Sequence, residues 1–225
     1  MKIIAGRVAA LMWCVRQNSN AKVWSNTQLS AEQVGNQAFQ LWKNWFDAQQ
    51  VCIQAQQPRT VQHVASWTKP RDGWLKVNVD AGFFKHQGIT TTACCTRNSD
   101  GEFLCAQTNQ YSSNMSILEG EGMALLDAVK LATLKGWNYV IFESDSQTLV
   151  NAINSRNGGV SEFGFIIDNI KNNLFLLSNF EVKFVRRQAN MAAHSLAMVA
   201  ISWASHHYVD VIPLWIEPLL MNDMN

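Results

Sequence analysis

The chain has 225 residues, 48% hydrophobic and 16% charged, with nine Trp and a formal net charge of +1. That length suits one good-sized domain with an appendage, or two small ones. The near-neutral balance excludes a broadly basic nucleic-acid binder, so any such site must be a local patch.

The five cysteines (Cys14, Cys52, Cys94, Cys95, Cys105) are odd in number and form no CxxC pair. Neither a disulfide framework nor a zinc knuckle is indicated, and reduced, buried thiols are expected. No apolar run is long enough to span a membrane. The opening MKIIAGRVAALMWCV loosely imitates a signal peptide, but Arg7 interrupts it and Arg16 follows. The expectation is an amphipathic helix in an intracellular protein, nuclear or cytoplasmic, although no basic import cluster is present.

Residues 1–56 are expected to be mostly helical. Ala9, Leu11, Met12, Trp13 and Val15 make a short apolar helix, followed by a polar break, NSNAKVWSNTQ. A second helix begins at Ser30, with Val34, Ala38, Leu41, Trp42, Trp45, Phe46 and Val51 at helical spacing. Ser30 and Gln33 have capping-box spacing. Residues 57–70, with Pro58 and Pro70, form a linker, which gives a helical N-terminal segment over residues 1–69. Its Trp13, Trp24, Trp42 and Trp45 need a surface to pack on.

From Gly73 the period changes to two. Trp74 to Phe84 alternates, with Val77 and Val79 on one face and Lys76, Asn78 and Asp80 on the other. Strands Ile89–Thr96 and Phe103–Gln107 flank a turn with an Asp-Gly pair. A helix over Ile117–Lys135 shares Leu118, Glu121, Leu125, Ala128, Val129 and Ala132 on one face, and Gly136 stops it. Then follow a strand (Tyr139–Phe142), a helix (Ser144–Ile153), a helix (Phe163–Leu177), a strand (Phe180–Val185) and a last helix (Asn190 to about Ser205). The order β-β-β-α-β-α-α-β-α predicts an α/β domain over residues 70–210: a five-stranded mixed sheet with helices on both faces, and a tail over residues 211–225.

Three carboxylates occupy unusual places. Asp80 lies mid-strand, where Asp is depleted. Glu121 sits on an apolar helix face, and Asp145 stands where a strand hands over to a helix, a common place for sites in open sheets. Each has an ordinary alternative. Asp80 would face solvent on an edge strand, Glu121 would complement a helix dipole, and Asp145 would belong to an N-cap built by Ser144 and Gln147. Their combined order favours a shared site.

The segments GWLKVNVDAGF, LEGEGMALLDAVKLA, VIFESDSQTLVNAI and VRRQANMAAHSLA resemble the ribonuclease H-like domain found in plants. That domain also closes the polyproteins of non-LTR retrotransposons, and the resemblance covers about residues 70–210. The N-terminal segment is similar to the region that joins the reverse transcriptase to it. The resemblance implies a ribonuclease H-like fold and hydrolysis of RNA in RNA–DNA hybrids, leaving 5′-phosphate and 3′-hydroxyl ends. It makes Asp80, Glu121 and Asp145 the ligands of a two-metal Mg2+ (or Mn2+) site. Glu121 is preferred to Glu119, because Ala124 and Leu125 follow at the family's offsets. Hard cations suit such rigid oxygen ligands, and like charges so close predict raised carboxyl pKa values without metal.

The fourth acidic position falls at His194, which joins the catalytic set as a proton shuttle or phosphate contact; neutral imidazole is a poorer partner for Mg2+ than a carboxylate. The family's flexible histidine loop has no counterpart here, and Arg186 and Arg187 stand in its place. Arg186, Arg187 and Lys183 are candidates for phosphate, and Asn78, Ser146, Gln147 and Asn190 for sugar hydroxyls or phosphates. Asn190 is equally an N-cap candidate. The competing expectation is a domesticated, catalytically weak module that binds nucleic acid or a protein partner. A monomer is expected.

Overall fold

In the computed structural model the described residues are 2–54, 66–155, 161–203, 205–212, 217 and 220. The chain divides into two units, Met1–Gln62 and His63–Asn225.

The first unit is a pair of helices, α1 (Lys2–Ser25) and α2 (Ala31–Gln54). Cys14, Val34 and Ala38 are buried between them, with Trp13 and Leu41 against this small core. The guanidinium of Arg7 lies 3.9 Å from the ring centre of Trp42. The Ser30–Gln33 capping box forms, with Gln33 Oε1 accepting from Ser30 N at 2.8 Å and Ser30 Oγ from Gln33 N at 3.2 Å. The expected polar break begins inside α1, which continues to Ser25. Asn18 to Ser25 contains no Gly or Pro, so nothing stops the helix, and Asn18 binds back to the main chain of Leu29. The side chains of Trp24, Trp45 and Phe46, and most of the expected linker, lie outside the described residues.

The second unit is built on one mixed sheet. Its strands are β1 (Leu75–Phe84), β2 (Ile89–Arg97), β3 (Phe103–Tyr111), β4 (Val140–Ser144), β5 (Phe180–Phe184) and β6 (His206–Val209), in the order β5-β4-β1-β2-β3-β6. β1 pairs antiparallel with β2 and parallel with β4. The sheet has six strands rather than five. The last helix, α6 (Met191–Val199), ends before the expected Ser205, and His206–Val209 pairs with an unexpectedly long β3. The open edge of β3 supplies the partners that the sequence pattern did not announce.

The alternation of β1 sorts the layers. Val77 and Val79 join a buried cluster with Leu125, Val129, Phe142, Leu149 and Ile170. These come from α3 (Ile117–Leu134), β4, α4 (Gln147–Asn154) and α5 (Glu162–Leu174). On the opposite face α6 lies close to β1 and β2. Thr91 Oγ1 donates to Ala197 O at 2.7 Å, and Gly82 opens the space. A Cβ at Gly82 would sit 2.5 Å from Thr91 Oγ1 and 2.9 Å from Ala197 O. Gly82→Ala is therefore expected to cost about 1–3 kcal/mol of stability, measured by urea unfolding. An unchanged midpoint would show that α6 is free to retreat.

Residues 66–70, expected as linker, lie on that same face. Trp67 is buried, and its Nε1 donates to Asn78 Oδ1 at 3.0 Å. The Arg97 guanidinium lies 3.6 Å from the Trp67 ring centre and donates to Asn78 Oδ1. Lys76 Nζ pairs with Glu143 at 2.7 Å and donates to Thr68 O at 2.6 Å. Asn78 Nδ2 completes the set, donating to Glu143 Oε2 at 3.0 Å. Lys76, Asn78, Arg97 and Glu143 are all buried, so the face is sealed by a bonded polar network.

Candidate metal centre

Asp80 lies on β1, inside the sheet, and is 2% exposed; the edge-strand alternative does not apply. Pairing of Val79 with Ser144 brings the end of β4, and Asp145 after it, alongside. α3 supplies the third carboxylate. Ser116 caps it, and Glu119 closes the capping box, with Glu119 Oε2 accepting from Ser116 N at 2.8 Å. Two residues on, roughly 200° around the helix, Glu121 turns inward and is 6% exposed. One ligand oxygen from each of Asp80, Glu121 and Asp145 lies within 4.8 Å of the others.

Asp145 does not cap α4. Ser144 belongs to the ladder, paired with Val79 and Phe184, and the N-cap is Ser146, whose Oγ accepts from Leu149 N at 3.4 Å. Asp80 Oδ1 accepts from Ala81 N at 2.8 Å, and Oδ2 lies 2.8 Å from His194 Nδ1. Glu121 Oε2 is buried and has no hydrogen-bond partner among the described residues. A buried carboxyl group with an orphaned oxygen, beside two more carboxylates, suits a divalent cation, which would supply the missing positive charge.

Burial, and then the charges of Asp80 and Asp145, push the Glu121 carboxyl up to about 10. Burial and the charge of Asp80 also raise Asp145, against opposing pulls from Arg187 and His194. Glu121 thus holds its proton in the metal-free fold, while in the unfolded chain it ionises near its ordinary 4.5. Rising pH favours the unfolded state across that window. In EDTA the melting temperature should fall as pH rises from 5 to 9, and Mg2+ should restore more of it at pH 9 than at pH 5. A flat profile in EDTA would overturn this reading.

The other expected residues divide. Arg187 Nη1 lies 3.6 Å from Asp145 Oδ2, and its Nη2 lies 2.9 Å from His194 Nε2 and 3.1 Å from Nδ1. Arg186 and Gln147 are exposed and Ser146 half-buried. Lys183 is exposed and paired with Glu181. Asn78 and Asn190 are corrections. Both are fully buried; Asn78 is held by Trp67, Arg97 and Glu143, and Asn190 stands at the expected N-cap position of α6, its Nδ2 donating to Val79 O at 2.9 Å and its side chain making no cap bond to the helix. Neither reaches the surface. Trp67, Arg97 and Glu143, which hold the strand behind Asp80, were not singled out; a lone polar residue on a buried strand face was the available signal. A separate groove of about 430 Å³ lies between α3 and the β3–β6 edge. Its Asp127 is already held by Thr92, Asn109 and Tyr111.

A mixed sheet with α3 on one face and α6 on the other, and with carboxylates gathered from β1, α3 and the end of β4, defines a ribonuclease H-like domain. Residues 78–200 match the reverse transcriptase-like family, and the chain belongs to it. It is 26% identical over 176 residues to an Arabidopsis thaliana protein named for ribonuclease H. That alignment takes in 77% of this chain and 28% of the relative, so the chain spans under a third of the relative's length. The fold matches RNase H1 of Halobacterium salinarum with a TM-score of 0.52 at 16% identity, over 56% of this chain and 96% of that one. It matches the N-terminal RNase H domain of a Mycobacterium tuberculosis protein with a TM-score of 0.51 at 16% identity, over 56% and 92%.

Proposed function

We propose that the chain is a metal-dependent endonuclease that hydrolyses the RNA strand of RNA–DNA hybrids. The observation that carries this is the convergence of Asp80, Glu121 and Asp145, with a buried Glu121 oxygen left unpartnered, on a ribonuclease H-like sheet. Asp80, Glu121 and Asp145 would hold Mg2+ or Mn2+. When bound, such ions activate the attacking water and neutralise charge on the leaving 3′-oxygen.

The protein's own groups do the rest. Asp80, pinned by Ala81 N and His194, presents its oxygens in one orientation. Arg187, reaching from solvent, and Arg186 beside it provide donors for the phosphate backbone. Ser146 and Gln147, next to Asp145, are placed to meet sugar hydroxyls, the feature that separates RNA from DNA.

The test is cleavage of an end-labelled RNA–DNA hybrid by the purified protein with Mg2+ or Mn2+. Metal-dependent products with 3′-hydroxyl ends are expected. A folded protein that binds the hybrid without cutting it would support the non-catalytic module instead.

A further inference from the structure

We propose that the exposed ring of Tyr139 is a stacking platform for an unpaired base, and that a row of basic side chains leads from it along β5 towards Asp145. The row would hold a single strand that runs on from the hybrid. This rests on the nucleic-acid reading above and extends it to a second contact surface.

Tyr139 is held in an unfavourable backbone conformation. It stands just before β4 with φ at +65°, in the left-handed region, where an aromatic residue is strained. The ladder does not require a tyrosine there. Leu75 N donates to Tyr139 O at 2.9 Å, a main-chain bond that Gly or Asn would make at less cost. What the tyrosine adds is its ring. That ring lies 5.4 Å from the ring of Trp74, tilted by 59°, and Tyr139 is still 47% exposed. The Arg71 guanidinium lies 3.6 Å from the Trp74 ring centre. An exposed ring fixed by a second ring, with an arginine beside the pair, is suited to stack a nucleobase.

The placement ties this corner to the carboxylates. Val182 of β5 belongs to the core on the α3 side, so Glu181 and Lys183 point to the opposite face, the face of Asp80. Arg71 Nη2 donates to Glu181 Oε1 at 2.6 Å, which brings the aromatic pair to that side. β5 is an edge strand, and Lys183 stands level with Glu143, two residues before Asp145. Arg186 and Arg187 follow β5, both exposed, and Arg187 reaches Asp145. From Tyr139 to Asp145 the chain advances six residues, about 20 Å at about 3.3 Å per residue. Arg71, Lys183, Arg186 and Arg187 outnumber Glu181, which Arg71 and Lys183 already bind. In a chain of net charge +1 this is a local basic excess, which a phosphate backbone needs.

Binding is read by fluorescence anisotropy on the full chain, with Ca2+ in place of Mg2+ to slow cleavage. The probes are a labelled blunt RNA–DNA hybrid, the same hybrid with a single-stranded extension on either strand, and oligo(dT). The wild type should bind an extended hybrid about tenfold more tightly than the blunt one. Tyr139→Asn, which suits the positive φ, should bind blunt and extended hybrids alike, at the wild type's affinity for the blunt one. Tyr139→Phe should keep the preference. No preference for any extension in the wild type, or a preference that survives in Tyr139→Asn, would overturn the platform. Failure to bind the blunt hybrid would instead remove the functional reading, and oligo(dT) then decides. Binding that depends on Tyr139 keeps the platform; no binding, the result expected if this corner serves a protein partner, overturns it.

Discussion

Replacing Asp80 with Asn is expected to lower hybrid cleavage at least about a thousandfold, roughly 4 kcal/mol of transition-state stabilisation, while raising the melting temperature of the metal-free protein. The two effects share one cause. Asp80 is the buried carboxylate against which both Glu121 and Asp145 are charged. Its negative charge draws in a cation and, without one, repels its neighbours. The amide keeps an oxygen for Ala81 N and nearly the same shape, and its nitrogen can donate to an unprotonated His194 Nδ1, so the fold should gain from the lost repulsion. Cleavage rates and thermal melts in EDTA, taken on the same preparations, check both parts. Activity within tenfold of wild type would remove Asp80 from the chemistry. A lower melting temperature would show that its charge is compensated by something other than metal.

Lys76→Met should be the most destabilising single change outside that centre, at about 3–5 kcal/mol. Lys76 and Glu143 form a pair at 2.7 Å with side-chain exposures of 5% and 6%. Removing the ammonium strands a buried carboxylate that Asn78 alone cannot satisfy. Adding Glu143→Leu should recover most of the loss, because a buried ion pair replaced as a unit by apolar groups is often neutral. Urea unfolding of the two variants is the measurement. Against a typical total of about 5–15 kcal/mol, the single change takes a large share. A cost below about 1 kcal/mol would mean that water reaches the pair.

The gathering of Asp80, Glu121 and Asp145 was legible because each breaks a local rule: an acid within a strand, an acid on an apolar helix face, an acid at a strand's exit. The run of strands and helices was enough for a mixed α/β sheet, and the resemblance of four segments supplied the ribonuclease H-like fold. Asn78 and Asn190 were misjudged for a physical reason. A polar side chain aimed at a ligand and one aimed at a buried partner look alike in sequence, and Trp67, Arg97 and Glu143 are not neighbours of Asn78 in the chain. The cap of α4 was misplaced by two residues because Ser144 and Ser146 both suit the role, and only the parallel ladder claims Ser144 for the sheet. β6 was missed because His206–Val209 follows an apolar run that suits a helix as well, and what makes it a strand is the edge of β3.

The tie between His194 and Asp80 spans 114 residues, that between Asn190 and Val79 spans 111, and that between Asn78 and Glu143 spans 65. No local segment can assemble the carboxylates beforehand. Chains dominated by such distant pairings fold slowly, since loop closure must be met before any contact rewards it. The repulsion among the three acids therefore arises only when β4 has paired with β1 and α3 has packed on the sheet. A cation that relieves it acts on that assembled arrangement: it holds the acids together once gathered and does little to hasten their gathering.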